Sequence, residues 1–200
     1  MKYFRGEYSF MKLTSKEWAI TLVFAALITI GAFIKVDIPL PVYTMHFTLQ
    51  WFFVLMAGFL LGARHGAFSV EIYVLIGLIG VPVFATGGGF MYILKPGFGF
   101  LLGFIVAAYI IGFMTDLTSP YKYVQYVIPS ICGLLAYYAV GSVYFYLIKN
   151  LYSGMKLSFS IILFQYCLIT ILPDFVLCLI ASGFAMLLAP IFKRAIRVRI

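Results

Sequence analysis

Val83-Phe84-Ala85-Thr86-Gly87-Gly88-Gly89, followed by Leu94-Lys95-Pro96-Gly97-Phe98-Gly99-Phe100, is a short polar interruption in an otherwise apolar chain. Both flanks read as membrane helices, and between them sits a flexible glycine turn with a lone lysine at the lip of the next helix. A turn of this kind can fold over a small ligand, and the lysine can hold an anion there. Most other charges lie in clusters outside the apolar spans. Lys95, Glu71 and Asp174 do not, and they are where function is sought.

Composition agrees with the reading of the flanks. Of the 200 residues, 64% are hydrophobic and only 10% charged, and the mean hydropathy is +1.10. A soluble domain carries roughly 25% charged residues. This chain lacks the polar groups to cover a surface in water, so it is expected to be an integral membrane protein, with residues 1–200 forming one membrane domain. No acidic or basic tract is long enough for a nucleic-acid face. Cys132, Cys167 and Cys178 stand in apolar segments without a CxxC pair and read as small core residues. The first apolar run is longer than the roughly 7–15 residues of a secretory leader and is read as helix 1.

A spanning helix needs about 20 apolar residues. Six are expected, at about 18–34, 47–61, 66–79, 97–114, 124–148 and 173–189. Helix 1 closes at Lys35-Val36-Asp37 and the Pro39-Leu40-Pro41 break. Helices 2 and 3 are short and joined by a tight polar hairpin at Arg64-His65. The apolar stretch 157–189 is too long for one helix and too short for two with a turn. Pro173, which removes a backbone donor and crowds the preceding turn, is expected to divide it into a short non-spanning piece and helix 6. Asp174 then falls in the first turn of helix 6, where a carboxylate suits the helix dipole. The fold expected is an all-α, six-helix membrane bundle with a broken segment before the last helix.

Charge placement sets a topology. Lys2, Arg5, Lys12, Lys16, Arg64, Lys122, Lys193, Arg194, Arg197 and Arg199 fall on one side, ten against the four of Lys35, Lys95, Lys149 and Lys156. The positive-inside rule puts both termini in the cytoplasm and the glycine loop outside, with Asp174 near the same face. Gly58-x-x-x-Gly62 and Gly99-x-x-x-Gly103 permit close helix approach. Thr21, Ala25 and Thr29 form a small-residue stripe on helix 1, read either as internal packing or as a docking face for a partner helix.

Each polar candidate carries two readings. Asp174 is an acceptor for ligand N–H groups or a helix-start residue facing water. Lys95 pairs with a ligand carboxylate or snorkels to the surface. Gln50 holds another helix or meets a ligand amide. Tyr73 offers a polar tip to a wet cavity. Glu71, two residues away and on another face, is expected to pair with Arg64 or His65. The chain has no GxxxxGK[ST] phosphate loop and no Gly-x-Ser-x-Gly elbow. His46 and His65 lack zinc-site spacing. No cofactor and no catalytic set is expected.

The runs Thr48-Leu49-Gln50, Leu55 to Val70 and Tyr73 to Phe84, then the glycine loop into Lys95-Pro96-Gly97-Phe98-Gly99-Phe100-Leu101-Leu102-Gly103-Phe104, and Leu172-Pro173-Asp174 resemble the BioY family. The likeness is dense from about 48 to 112 and resumes at 172–192; helix 5 and both termini are generic. The resemblance implies a biotin-binding S component of an energy-coupling factor importer in a prokaryotic cytoplasmic membrane. It implies six helices, a site near the outer face, a transmembrane coupling protein and two ATPase subunits as partners, and no enzymatic activity. The family's Ala-x-x-x-Ala docking motif is degraded here to Thr21, Ala25 and Thr29, and Glu71 stands where an apolar residue is expected.

Biotin matches the polar set. Its ureido ring would meet Asp174 and Gln50, its carboxylate Lys95, and its apolar body Phe84, Trp51 and Tyr92, with Tyr73, Gly88 and Gly89 completing the site. Two readings stay open beside it: a transport subunit for another small vitamin, and an intramembrane enzyme, which would need a nucleophile–base pair or metal cluster.

Overall fold

The computed structural model describes residues 15–40, 44–117 and 122–197. Lys2, Arg5, Lys12, Pro41 and Arg199, used in the readings above, lie outside the described residues. The chain runs through α1 (Ser15–Phe33), a hairpin of β1 (Lys35–Ile38) and β2 (Met45–Thr48), α2 (Gln50–Leu78), α3 (Phe98–Asp116), α4 (Val124–Leu147), the single turn α5 (Phe159–Ile161) and α6 (Leu168–Arg197). Five of these helices are long and apolar enough to cross a membrane.

The second of the five is folded back on itself. Gly62 has φ 78° and ψ −176°, a left-handed, non-helical conformation that a Cβ would strain. Beyond it Gly66 rests on Ala57 and Gly58, and Gln50 Nε2 donates to the Tyr73 hydroxyl at 2.6 Å. In a straight helix residues 50 and 73 would stand about 35 Å apart. The expected hairpin is therefore present, but it turns on Gly62. Arg64 and His65 belong to the returning arm rather than to the turn. Asp116, at the end of α3, lies against Gly62 and accepts from the Ala63 amide at 3.4 Å.

Two expectations fail here. Pro173 does not start a helix: it lies inside α6, which begins five residues earlier, and Pro190 lies inside it too. The irregularity sits upstream, in a π-helical turn at Ile162–Cys167. Membrane helices tolerate proline where local π adjustment and neighbours satisfy the freed backbone groups. Asp174 is consequently in the body of α6. The hairpin between α1 and α2 was not expected either. Lys35 pairs with Thr48 and Ile38 with Met45 in antiparallel register, so α2 starts at Gln50 and not at Phe47.

The small-residue stripe of α1 turns inward. Thr21 and Ala25 are 1% and 3% exposed within the chain, and the outward face of α1 is Leu22, Val23 and Ile30. Thr21 and Thr29 bond the carbonyls of Glu17 and Ala25 at 2.7 and 3.0 Å. Internal packing, the first of the two readings, describes Thr21 and Ala25. The glycine pair on α3 behaves as expected: Gly103 leaves room for the Tyr137 backbone of α4, whose carbonyl a Cβ would meet at 2.6 Å. That close approach carries Tyr137 and Tyr138 to the centre of the molecule.

Candidate functional site

Elements distant in sequence converge on a cavity at the end of the bundle that carries the β-hairpin. It encloses about 670 Å³ of atom-free space, mouth included. The hairpin supplies His46 and Thr48, α2 supplies Gln50 and Trp51, and the loop before α3 supplies Ala85 and Tyr92. Phe100 and Phe104 come from α3, Tyr137 from α4, and Thr170 and Asp174 from α6.

One wall is aromatic. The Trp51 indole stacks on Tyr137 and Phe104, with ring centres 4.9 and 5.8 Å apart and planes inclined by 28° and 22°. Its Nε1 donates to Cys178 Sγ at 3.4 Å, which fixes the ring from behind. A flat, half-apolar ring fits against such a surface at low entropic cost.

The opposing feature is a carboxylate. Asp174 is 3% exposed, and its Oδ2 accepts from the hydroxyls of Tyr137 at 3.0 Å and Tyr138 at 2.7 Å. Tyr138 is fixed in turn by Thr170 Oγ1 at 2.8 Å. A charge at membrane depth is costly unless it is so supported. Oδ1 accepts nothing from the protein, yet no buried side-chain oxygen of the described chain lacks a partner. Oδ1 is therefore the acceptor that opens on the cavity.

Gln50 is oriented from both sides. Thr48 Oγ1 donates to its Oε1 at 3.1 Å, and its Nε2 spends one hydrogen on Tyr73. The second amide hydrogen remains for a carbonyl. Tyr73 stands behind Gln50 rather than in the lining. Phe84 is a further layer back, edge-on to Tyr73 at 5.4 Å and tilted on Tyr92 at 4.4 Å.

The glycine loop is tied back to the end of α2. Gly89 donates its amide to Gly77 at 2.7 Å, and a Cβ on Gly88 would strike the Val81 carbonyl, so these two glycines shape the loop and do not line the cavity. Lys95 is half-buried. Its Nζ donates to the carbonyl and hydroxyl of Thr86 at 3.2 and 3.1 Å and lies 4.5 Å from the centre of the Tyr92 ring. Tyr92 lines the cavity and Lys95 does not, so the lysine stands one ring away from it.

At the mouth, His46 Nδ1 lies 2.6 Å from Asp37 Oδ1, and Lys35 Nζ is 3.3 Å from the other oxygen. The hydrogen bond from His46 holds the Asp37 carboxyl below its ordinary range. Among the described residues no group of three His, Cys, Asp or Glu side chains could hold a metal.

The BioY family profile matches residues 7–194. The chain belongs to the BioY family. A probable biotin transporter BioY of Lysinibacillus sphaericus is 42% identical over 174 residues, 86% of either chain. The biotin transporter BioY of Thermotoga maritima is 38% identical over 121 residues, 60% of this chain and 68% of that one. Among solved structures, the S-component for biotin from an ECF-type ABC transporter superimposes with a TM-score of 0.74 at 24% identity, covering 88% of this chain and 94% of that one. That likeness gives this chain the fold of that S-component.

Gln50, Tyr92 and Asp174, with Trp51, are thus in one cavity; Tyr73 and Phe84 buttress it; Gly88, Gly89 and Lys95 build the adjoining loop. Sequence reasoning missed Tyr137, Tyr138, Thr170, Phe100 and Phe104. For the tyrosines a signal existed. Two adjacent phenols in an apolar helix need acceptors, and Asp174 needs donors.

Proposed function

We propose that this chain is the biotin-binding S component of an ECF-type importer. The observation that carries the reading is the Asp174 carboxylate, aimed by two tyrosines at a cavity faced with stacked aromatic rings. Biotin's ureido ring has two N–H donors and one carbonyl. One N–H goes to Asp174 Oδ1, and the carbonyl takes the second amide hydrogen of Gln50. The fused rings lie against Trp51, and the carboxylate tail leads past Tyr92 toward Lys95, which leaves Thr86 to meet it.

The same reading extends to topology and energy. The folded arms of α2 count as two crossings, giving six with both termini in the cytoplasm of a prokaryote and the cavity outside. Ten basic residues against four support that orientation. The chain has no phosphate loop. Uphill uptake is therefore the work of a transmembrane coupling protein and two ATPase subunits, and the chain itself performs no chemistry on its ligand.

Calorimetry on the purified chain tests the assignment, with riboflavin and thiamine beside biotin. Saturable binding of one biotin per chain is expected, with no heat from the other two. Saturable binding of either control without biotin overturns it.

A further inference from the structure

Glu71 is the one acid of the described spans that nothing in the fold accounts for. It lies nine residues beyond the Gly62 turn, about 13 Å along the helix axis, and seven before the end of the arm. That puts it near the middle of this apolar arm. It is half-buried on the outward face of the arm, beside Leu75 at 58% exposure and one turn from Phe68, which receives the edge of Trp18 from α1 at 5.4 Å. Neither expected partner reaches it. Arg64 and His65 are seven and six residues away, about 9–10 Å along the axis. Among the described residues Glu71 makes no ion pair and no side-chain hydrogen bond.

A carboxylate in a membrane span ordinarily faces the bundle interior, a wet cavity or a cation. Glu71 faces outward from the bundle and is not in the cavity lining. A glutamate's short stem cannot carry it the roughly 10–13 Å to either end of the arm, unlike a long lysine near a helix end. The missing term is a cation or donor from outside the chain. No described lysine or arginine of a second copy stands at the middle of a span. Every lysine and arginine of the described chain lies in a connection or within about the last turn of a helix end: Lys16, Lys35, Arg64, Lys95, Lys122, Lys149, Lys156 and the α6 terminus.

We infer that Glu71, with Phe68, Leu75 and Trp18 around it, is the docking face for a transmembrane helix of a partner protein that presents a lysine or arginine at mid-membrane depth. This rests on the transport reading for the identity of the partner, the coupling protein. The surface differs from the inward-turned Thr21–Ala25 stripe, and it explains why an acid persists on a face otherwise suited to lipid.

The chain is co-expressed with the coupling protein and ATPases of its own host, and complex recovery is measured through a tag on the chain. Glu71→Leu is expected to lower recovery about tenfold or more, as loss of one member of a desolvated charge pair does. Glu71→Asp is expected to retain most of it. Biotin binding by the isolated variants, read by calorimetry, is expected to match wild type. Recovery of Glu71→Leu at the wild-type level overturns the inference. So does a parallel loss of biotin affinity, which would place Glu71 in the ligand site, or a change in self-association by light scattering without a change in recovery. Failure of the wild-type chain to form the complex overturns the docking face too, while its own biotin titration separately decides the transport reading.

Discussion

Asp174 in the cavity wall and Lys95 one ring behind it are held in opposite ways. Asp174 sits in a helical wall, gripped by tyrosines 36 and 37 residues away on another helix. Lys95 sits in a glycine loop and is gripped by Thr86, nine residues back in that same loop. The first charge is fixed relative to the bundle. The second is held only by a residue of its own loop, and although that loop is tied to α2 by the Gly89–Gly77 bond and to α4 by the Tyr144 hydroxyl on the Ile93 carbonyl, the lysine side chain can swing away from Thr86 without breaking a contact in the wall. A rigid acceptor suits the part of a ligand that identifies it; a movable cation suits a tail that must enter and leave.

Removing the wall's charge is the strongest way to break this contrast. Asp174→Asn loses a charge-assisted acceptor worth roughly 1.5–3 kcal/mol. Biotin affinity is expected to fall about ten- to a hundredfold, and biotin amide, which keeps the ureido ring, is expected to fall with it. Titration of both ligands checks this. Wild-type binding by the asparagine variant would reduce Asp174 to a structural partner of the two tyrosines.

The next test concerns what aims the carboxylate. Tyr138→Phe removes the shorter of the two bonds to Oδ2 and leaves the ring packing in place. A hydrogen bond of this kind is worth about 0.5–1.5 kcal/mol net, so both ligands are expected to weaken by about two- to tenfold. In Asp174→Asn the same substitution is expected to cost less, because the phenol then has no charge to aim. Additive losses in the double variant would mean that Tyr138 acts on the ligand independently of Asp174.

The contrast also explains what could be read from the sequence. The loop was legible because it is local: its glycines, its lysine and its position between two spans all lie within about twenty residues. The hairpin in α2 was legible for the same reason, although the turn residue is Gly62 and not the polar pair after it. Asp174 stood out as an acid in an apolar run. Its environment did not. Tyr137 and Tyr138 look like any aromatic pair in a membrane helix until α3, through Gly103, lets α4 approach the core. Pro173 misled for a related reason. Its cost is local, but the π-helical turn upstream and the packing of α6 on α2 and α4 absorb it. The β-hairpin was hidden because Lys35–Ile38 and Met45–Thr48 each offer only four residues, and only their pairing makes a sheet.

The smallest effect lies with the loop. Lys95 is near water, where an ion pair contributes about 0–1 kcal/mol. Lys95→Ala should therefore lower biotin affinity by no more than about fivefold. The ligand pair gives this small number meaning. If Lys95 leaves Thr86 for the carboxylate, the variant weakens biotin and leaves biotin amide, which has no carboxylate, almost unchanged. If Lys95 serves only to tie the loop through Thr86 and the Tyr92 ring, both ligands weaken equally. Thr86→Val separates the two roles further. It removes the hydroxyl that Nζ holds in this structure while the Thr86 carbonyl remains. A lysine that must leave Thr86 to reach its ligand then leaves more easily, and biotin binding is expected to hold or tighten slightly. A lysine that acts as a loop tether is weakened by the same change, and binding of both ligands falls. Held or tighter binding shows that the loop's charge reads the ligand; a fall for both ligands shows that the Thr86 hydroxyl, which also donates to the Tyr92 hydroxyl at 3.0 Å, shapes the loop instead.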